Sequence, residues 1–538
     1  MLTTAERRRG LAYGATALAG VALFVSIAVL SLLSWDAGAT QDRLFSAYAI
    51  SVLRFTLLQA CLSTGLSILF AIPVALALAR QPRFRGRVWI IRLMALPMGL
   101  PVLIGALGLL GIWGRQGMIN RGLSAAGLAE PISIYGLSGI LLAHVFFNMP
   151  LAVRLMLAAL ERLPAEYWML SAGLGMRRAS VFRFIEWPAL RQVVPGIAGL
   201  IFMLCATSFT LVLMLGGGPA ATTLEVAIYQ SLRFDFDPPR AIALAFLQIG
   251  ITGAILTVMA FIPAPDDMGT TAGRAIHRMD GVPWVARLGD AAVILLATAF
   301  LALPLAAIAA AGLTADLWRL ATSEAFIKAL WTSGKIAVAA ALLAVATSMA
   351  ILSARQAVAD TKQAGPLARS FSATLSATSA LVLLVPPVVL GTGWFLALRP
   401  LGPVAPYAPA LVAIINALMA LPFVMRVLAP AVATHRSRTA RLAASLGLSG
   451  WPRLWRIDLP VLVRPLLTAI SFAMALSLGD LGAVALFGSS DLTTLPWLVY
   501  SRLASYRSND ADGLAFLLAL VCLALAVLGT AGRREVSA

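Results

Sequence analysis

Twelve apolar runs, most of them 20 residues or longer, alternate along the chain with short polar stretches rich in arginine. A hydrocarbon core of about 30 Å takes about 20 residues of helix to cross, so each run predicts one transmembrane helix. The runs lie near 11–34, 50–79, 88–113, 132–160, 193–215, 240–262, 289–313, 327–353, 372–398, 407–432, 465–488 and 513–532. The first follows "ERRRG" and looks like a signal peptide. Its apolar run is longer than the roughly 7–15 residues of such a leader, which predicts an uncleaved anchor.

Two polar stretches stand out, "WMLSAGLGMRRASVFRFIEWP" at 168–188 and "RTARLAASLGLSGWPRLWRIDLP" at 438–460. In the second, Ala440, Ala443, Leu446 and Gly447 fall on one helical face and Arg438, Arg441 and Ser445 on another. The pattern predicts a short amphipathic helix, about 15 Å for ten residues. Gly447 is suited to end it in the left-handed conformation, and Ser449 to cap a further turn. A second short helix is expected to end at the proline.

The runs repeat as a set. "PVLIG" at 101–105 returns as "PVVLG" at 387–391, and Pro97, Pro101, Pro386 and Pro387 are expected to kink the third helix of each copy. Gly175, nine residues and "IEWP" at 185–188 return as Gly447, nine residues and "IDLP" at 457–460. "TTLEVAIYQSL" at 222–232 returns as "TTLPWLVYSRL" at 493–503. Six helices per copy is an even number, so both copies have the same membrane orientation. The expected organisation is a first six-helix module at 1–262, a linker rich in proline, glycine and charge at 263–288, and a second module at 289–538. The expected fold is all-α and polytopic, about twelve transmembrane helices in two parallel six-helix modules.

Composition agrees, with 60% hydrophobic and 12% charged residues against about 25% charged in soluble domains. A formal charge of +18 suggests nucleic acid in a soluble protein. Here 29 of the 41 Lys and Arg residues flank one set of loops, the distribution that sets topology, so both termini are expected in the cytoplasm. Cys61, Cys205 and Cys522 lie in apolar runs without metal-ligand spacing. His144 and His277 lack ligand-spaced partners, so no metal site is expected. No catalytic cluster appears. The Gly-Lys pair of "SGKIA" at 333–337 lacks the first glycine and the hydroxyl residue of a phosphate-binding loop. No nucleotide or other cofactor is expected on this chain.

The loop pattern resembles that of permease subunits of ATP-binding-cassette importers, in which Glu-Ala-Ala, three residues, Gly, nine residues and Ile-x-Leu-Pro dock on an ATPase. Gly175, Ile185 and Pro188 match in one copy, and Gly447, Ile457, Leu459 and Pro460 in the other. Ala443 matches an alanine of the triplet, and Leu170 and Ser171 do not. The glutamate position holds Met169 and Arg441, so its role is not carried over, although Glu166 lies one turn earlier. Two docking loops imply two copies of a separate cytoplasmic ATPase, with ATP-Mg bound there. The plainer reading, basic helices lying on anionic headgroups, does not require the same Gly-to-Pro distance in both copies.

Longer stretches are similar to the fused two-module permeases of thiamine and thiamine-pyrophosphate importers: "YGLSGILLAHVFFNMP" at 135–150, "LGGGPAATTLEVAIYQSL" at 215–232, "GDLGAVALFGSSDLTTLPW" at 479–497 and "SYRSNDADG" at 505–513. The resemblance implies a bacterial inner-membrane importer served by a periplasmic thiamine-binding protein. Ferric-iron permeases of the same architecture are the runner-up, and a secondary transporter is the alternative from another class. For the solute pathway or outer gate the candidates are Asp480, expected inside the eleventh helix, and Ser208 at the equivalent place in the first copy. The repeated outer segments add Thr222, Thr223 and Tyr229, and Thr493, Thr494 and Tyr500. An intramembrane carboxylate suits a cation and tyrosine can stack on one. Helix packing at Asp480 and an interfacial aromatic belt for the tyrosines are the competing assignments.

Overall fold

A computed structural model describes residues 4–34, 43–127, 131–261, 284–360, 366–448, 450–488 and 492–530. Among them, eleven helices are long and apolar enough to cross a membrane. A twelfth crossing, near 372–398, is divided between two shorter helices.

In the first half the crossings are α1 (Thr4–Leu33), α2 (Ala47–Arg80), α3 (Val102–Trp113) with two short helices before it, α4 (Leu137–Glu161), then α6 (Trp187–Ala206) with α7 (Thr210–Leu215), and α9 (Pro238–Ala260). Between them sit α5 (Ala165–Gly173) and α8 (Leu224–Arg233). The second half repeats the order: α10 (Trp284–Thr314), α11 (Glu324–Ala359), α12 (Pro366–Leu384) with α13 (Pro387–Leu398), and α14 (Ala408–Ser445). It ends with α15 (Leu459–Gly479) and α16 (Gly482–Phe487), α17 (Leu495–Ala504) and α18 (Ser508–Thr530).

Three expectations change. Helix α10 begins at Trp284, inside the predicted linker, because its apolar register extends that far; residues 263–283, with His277, lie outside the described residues. The third and ninth crossings do not kink at their prolines but break there, at Leu100–Pro101 and Val385–Pro386, since proline lacks the N–H that would continue the ladder. The eleventh breaks too. Asp480 is not inside a helix but extended between α15 and α16 (φ −77°, ψ 127°), and its counterpart Ser208 lies in the gap between α6 and α7.

The first helix of each half leaves its own half. Helix α1 lies along α11 and α13, and α10 lies along α3 and α2 as well as α18. Glycines make both seams tight. A Cβ on Gly393 would stand 2.3 Å from the Ala28 carbonyl oxygen, and one on Gly108 would stand 2.5 Å from that of Pro304. The seam of α1 also carries a Phe24–Trp394 stack at 4.8 Å and hydrogen bonds from Ser31 Oγ to the Gly393 carbonyl and from Trp394 Nε1 to the Phe24 carbonyl. Helices in lipid associate through such close approach, because hydrocarbon gives them no hydrophobic drive.

Candidate functional site

Two regions carry the predicted residues: the loops at one end of the molecule and the helix breaks at its centre. In the first loop the chain turns off α5 at Gly175 with φ +59°, and in the second it turns off α14 at Gly447 with φ +61°, each two residues past the helix end. The closing hydrogen bonds correspond as well, Met176 N to the Ser171 carbonyl and Leu448 N to the Ala443 carbonyl, both 3.0 Å. These are the six-to-one bonds of a left-handed helix terminus. The expected separate amphipathic helix is absent from the second loop, where α14 runs unbroken from the crossing to Ser445. Ser449 and the side chains of Ala440 and Arg441 lie outside the described residues.

Nor does the helix after the corner end at the proline. In each copy a short turn, Arg178–Val181 or Gly450–Arg453, passes into a π-helical turn, Phe182–Glu186 or Leu454–Asp458. That turn runs directly into α6 or α15, with Pro188 or Pro460 as the second residue. The wider π turn receives a ring that would clash with a regular preceding turn. Each loop is therefore continuous with the crossing that breaks at Ser208 or Asp480. Ile185 and Ile457 are half-buried in the π turns, and Ala443 is buried. Glu166 is exposed in the first turn of α5, followed by exposed Met169, Leu170 and Leu174. In the second loop Leu446 and Trp455 are exposed.

At the centre the breaks converge from both halves. A Cβ on Gly479 would lie 3.1 Å from Pro101 Cα, and one on Gly482 would lie 3.6–3.7 Å from Asp480 Oδ1, Phe209 and Val388. Carbonyls freed by the breaks receive side-chain donors. Gln59 Nε2 donates to the Cys205 carbonyl at 2.9 Å, Gln248 Nε2 to that of Ala206 at 3.3 Å, and Thr252 Oγ1 to that of Leu384 at 2.6 Å. Asn148 Nδ2 contacts Cys205 Sγ, as Asn416 Nδ2 contacts Ser477 Oγ in the other half. Irregular backbone at membrane depth is tolerated where protein buries it or where it lines a path. Asp480 itself accepts hydrogen bonds from Gly482 N at 3.2 Å and Ala483 N at 3.3 Å, so its carboxylate caps α16. His144 is buried, with Nδ1 2.8 Å from Ser63 Oγ.

The repeated threonine segments start α8 and α17. Thr222, Thr223 and Thr494 are buried and Thr493 is half-buried on the wall of a cleft of about 450 Å³ with Arg233, Lys328 and Arg502. Tyr229 is 2% exposed and meets Phe209 and Phe234 edge to face, so its ring packs inside the protein. Tyr500 is half-buried beside Trp497. Two features had no signal beyond the bare residue type. Glu225 in α8 is 1% exposed with neither carboxylate oxygen hydrogen-bonded among the described residues, and burial, with a smaller push from Asp480, raises its pKa to about 8. The N-termini of α8 and α17 are capped from the second helix of their halves, Leu224 N by Thr56 Oγ1 at 3.0 Å and Leu495 N by Ser333 Oγ at 2.8 Å. A Thr56→Val/Ser333→Ala variant leaves both donors buried and unpaired. Its thermal unfolding in detergent should register a loss of about 2–4 kcal/mol, at about 1–2 per site; unchanged melting would show the caps to be dispensable.

Comparison with known proteins completes the description. Residues 363–534 match the family described as "Binding-protein-dependent transport system inner membrane component". The chain is 46% identical to the thiamine transport system permease protein ThiP of Brucella abortus over 99% of both chains. It is 41% identical to that of Escherichia coli, over 94% of this chain and 93% of the relative. With that of Haemophilus influenzae the identity is 35%, over 96% and 95%. No solved structure matches.

Proposed function

The chain belongs to the family of binding-protein-dependent inner-membrane permeases represented by the thiamine transport system permease proteins, and from that premise we propose that it carries thiamine and its phosphates from periplasm to cytoplasm. It is a multi-pass transporter permease rather than an enzyme. The observation that carries the solute is identity spread along the whole length of thiamine permeases rather than confined to the loop motif. A periplasmic binding protein delivers the solute, and two copies of a cytoplasmic ATPase, which hold the ATP-Mg, dock on the loops at Gly175 and Gly447. Both termini lie in the cytoplasm of a bacterial inner membrane. The bias of Lys and Arg toward the loop end supports that orientation.

The local geometry supports alternating access. The exposed apolar side chains of Met169, Leu170 and Leu174 give the first loop a surface for a partner where the family pattern has a glutamate. Closure of the two ATPases would bring the loops together. Each loop continues through its π turn into a crossing that is broken at Ser208 or Asp480, so the segment on the loop side of the break can tilt while the segment beyond it stays. A path lined by such breaks needs only weak contacts with its solute, because tight binding would trap it; selection then falls to the binding protein.

The test is uptake of labelled thiamine by a bacterium lacking its own importer and supplied with this chain, its ATPase and its binding protein. ATP-dependent uptake that disappears without the chain is expected. ATPase co-purifying without thiamine uptake would overturn the solute and point to ferric iron. A chain that brings no ATPase with it would overturn the importer reading.

A further inference from the structure

We propose that two acid–arginine–acid triads, the first buried and the second half-buried around a buried arginine, tie each docking loop to the first helix of the opposite module, so that every ATP-driven loop movement is imposed on both modules at once. The inference rests on the importer reading above. In the first triad Arg80, at the end of α2, stands 3.9 Å from Glu186 in the loop and 3.2 Å from Asp290 on α10. Arg178 of the loop adds a 2.7 Å contact to Asp290, and Gln81 Nε2 donates to its other oxygen at 3.2 Å. Glu186, Asp290 and Arg80 are 0%, 2% and 8% exposed. In the second triad Arg453 stands 3.5 Å from Asp458 in the loop and 3.8 Å from Glu6 on α1. His435 Nε2 lies 2.7 Å from the second oxygen of Asp458.

The two triads share an order and differ in their parts. Glu186 and Asp458 are the same position of the repeat, the residue after the isoleucine of "IEWP" and "IDLP". Asp290 and Glu6 both lie near the start of a first helix, and each of these helices crosses to the other module. The arginines are not equivalent: Arg80 comes from a transmembrane helix and Arg453 from the loop itself. The same bridge is thus assembled from different positions, which inheritance from one duplicated unit does not account for. Arginine cannot shed its proton, and separating it from either carboxylate would strand charge in a medium that solvates it poorly. Loop, arginine and crossed-over helix are therefore held to move together, and neither loop can tilt its own module without displacing a helix that packs along the other.

The test uses the full complex of permease, ATPase and binding protein in lipid nanodiscs. Spin labels on Phe184→Cys in the π turn of the first loop and Trp284→Cys at the start of α10, both exposed positions, report the loop-to-helix distance in a Cys61→Ser background; the other two cysteines are buried. That distance is expected to stay constant on ATP binding in the parent and in Asp290→Glu, and to change in Asp290→Asn. In liposomes the ATP consumed per solute moved is expected to rise about tenfold or more in Asp290→Asn. If Asp290→Asn fails to assemble, Glu6→Gln is read in the same way with labels at Tyr13 and Arg456, also exposed. A constant distance and an unchanged ATP ratio in the charge-neutral variants would reduce the triads to static staples and overturn the proposal. Absence of thiamine uptake by the parent complex would defeat the solute assignment alone, because the distance measurement needs no solute.

Discussion

Uptake by a Gly175→Ile/Gly447→Ile double variant is expected to fall by on the order of 100-fold while the protein still inserts and its ATPase still turns over. Both glycines hold φ near +60°, where an L residue is disfavoured by about 1–2 kcal/mol and a β-branched one more. Two such sites cost about 2–4 kcal/mol, and each 1.4 kcal/mol is a factor of about ten in the population of correctly turned loops. Neither position is crowded, since a Cβ at Gly175 or Gly447 would meet nothing within 4 Å. The penalty is therefore one of backbone conformation, which makes asparagine, tolerant of the left-handed region, the informative control. Asparagine at both positions should restore most of the uptake. Normal uptake by the isoleucine variant would show that the corner does not set the docking geometry.

The second large effect is on assembly. Gly393→Val forces side-chain atoms toward the Ala28 carbonyl, 2.3 Å from where the first of them would sit, in the seam that holds α1 to α13. Two backbone ladders cannot shift as a flexible side chain would, so the seam must open, losing the Phe24–Trp394 stack and the Ser31 hydrogen bond with it. Overpacking of this kind costs about 1–3 kcal/mol or more, and in a chain this long the apparent Tm in detergent should drop by about 1–3 °C. Gly20→Val on the same α1 is the control, because a Cβ there meets nothing within 4 Å. Equal melting temperatures for the two variants would mean that α1 is not held by this seam.

Of the loops, the left-handed corners at Gly175 and Gly447 and their fixed distance to Pro188 and Pro460 were legible, since glycine and proline restrict backbone dihedrals whatever surrounds them. The consequence of the prolines was less legible. A helix was expected to stop at Pro188 and Pro460, whereas a π turn carries the chain through. At Pro101 and Pro386 a kink was expected and the crossing divides instead. Proline announces an interruption of the ladder, and which interruption forms depends on what receives the freed carbonyls. Here Thr252, from the other half, accepts that task for Leu384.

The same division runs through the whole molecule. Sequence alone determined the all-α membrane fold of about twelve crossings, the repeated spacings and the loop corners, because bilayer thickness, the duplicated spacing and single-residue dihedral limits act along the chain. Only the tertiary structure decided that α1 and α10 exchange partners, that Asp480 caps a helix rather than sitting within one, that Glu225 is buried with no hydrogen bond among the described residues, and that Arg80 and Arg453 bridge acids from opposite halves. Except for the Asp480 cap, which uses amides two and three residues on, each of those depends on groups more than two hundred residues apart, or on which face of a uniformly apolar helix meets a neighbour. A helix that is hydrophobic all round carries no periodicity from which its packed face can be read.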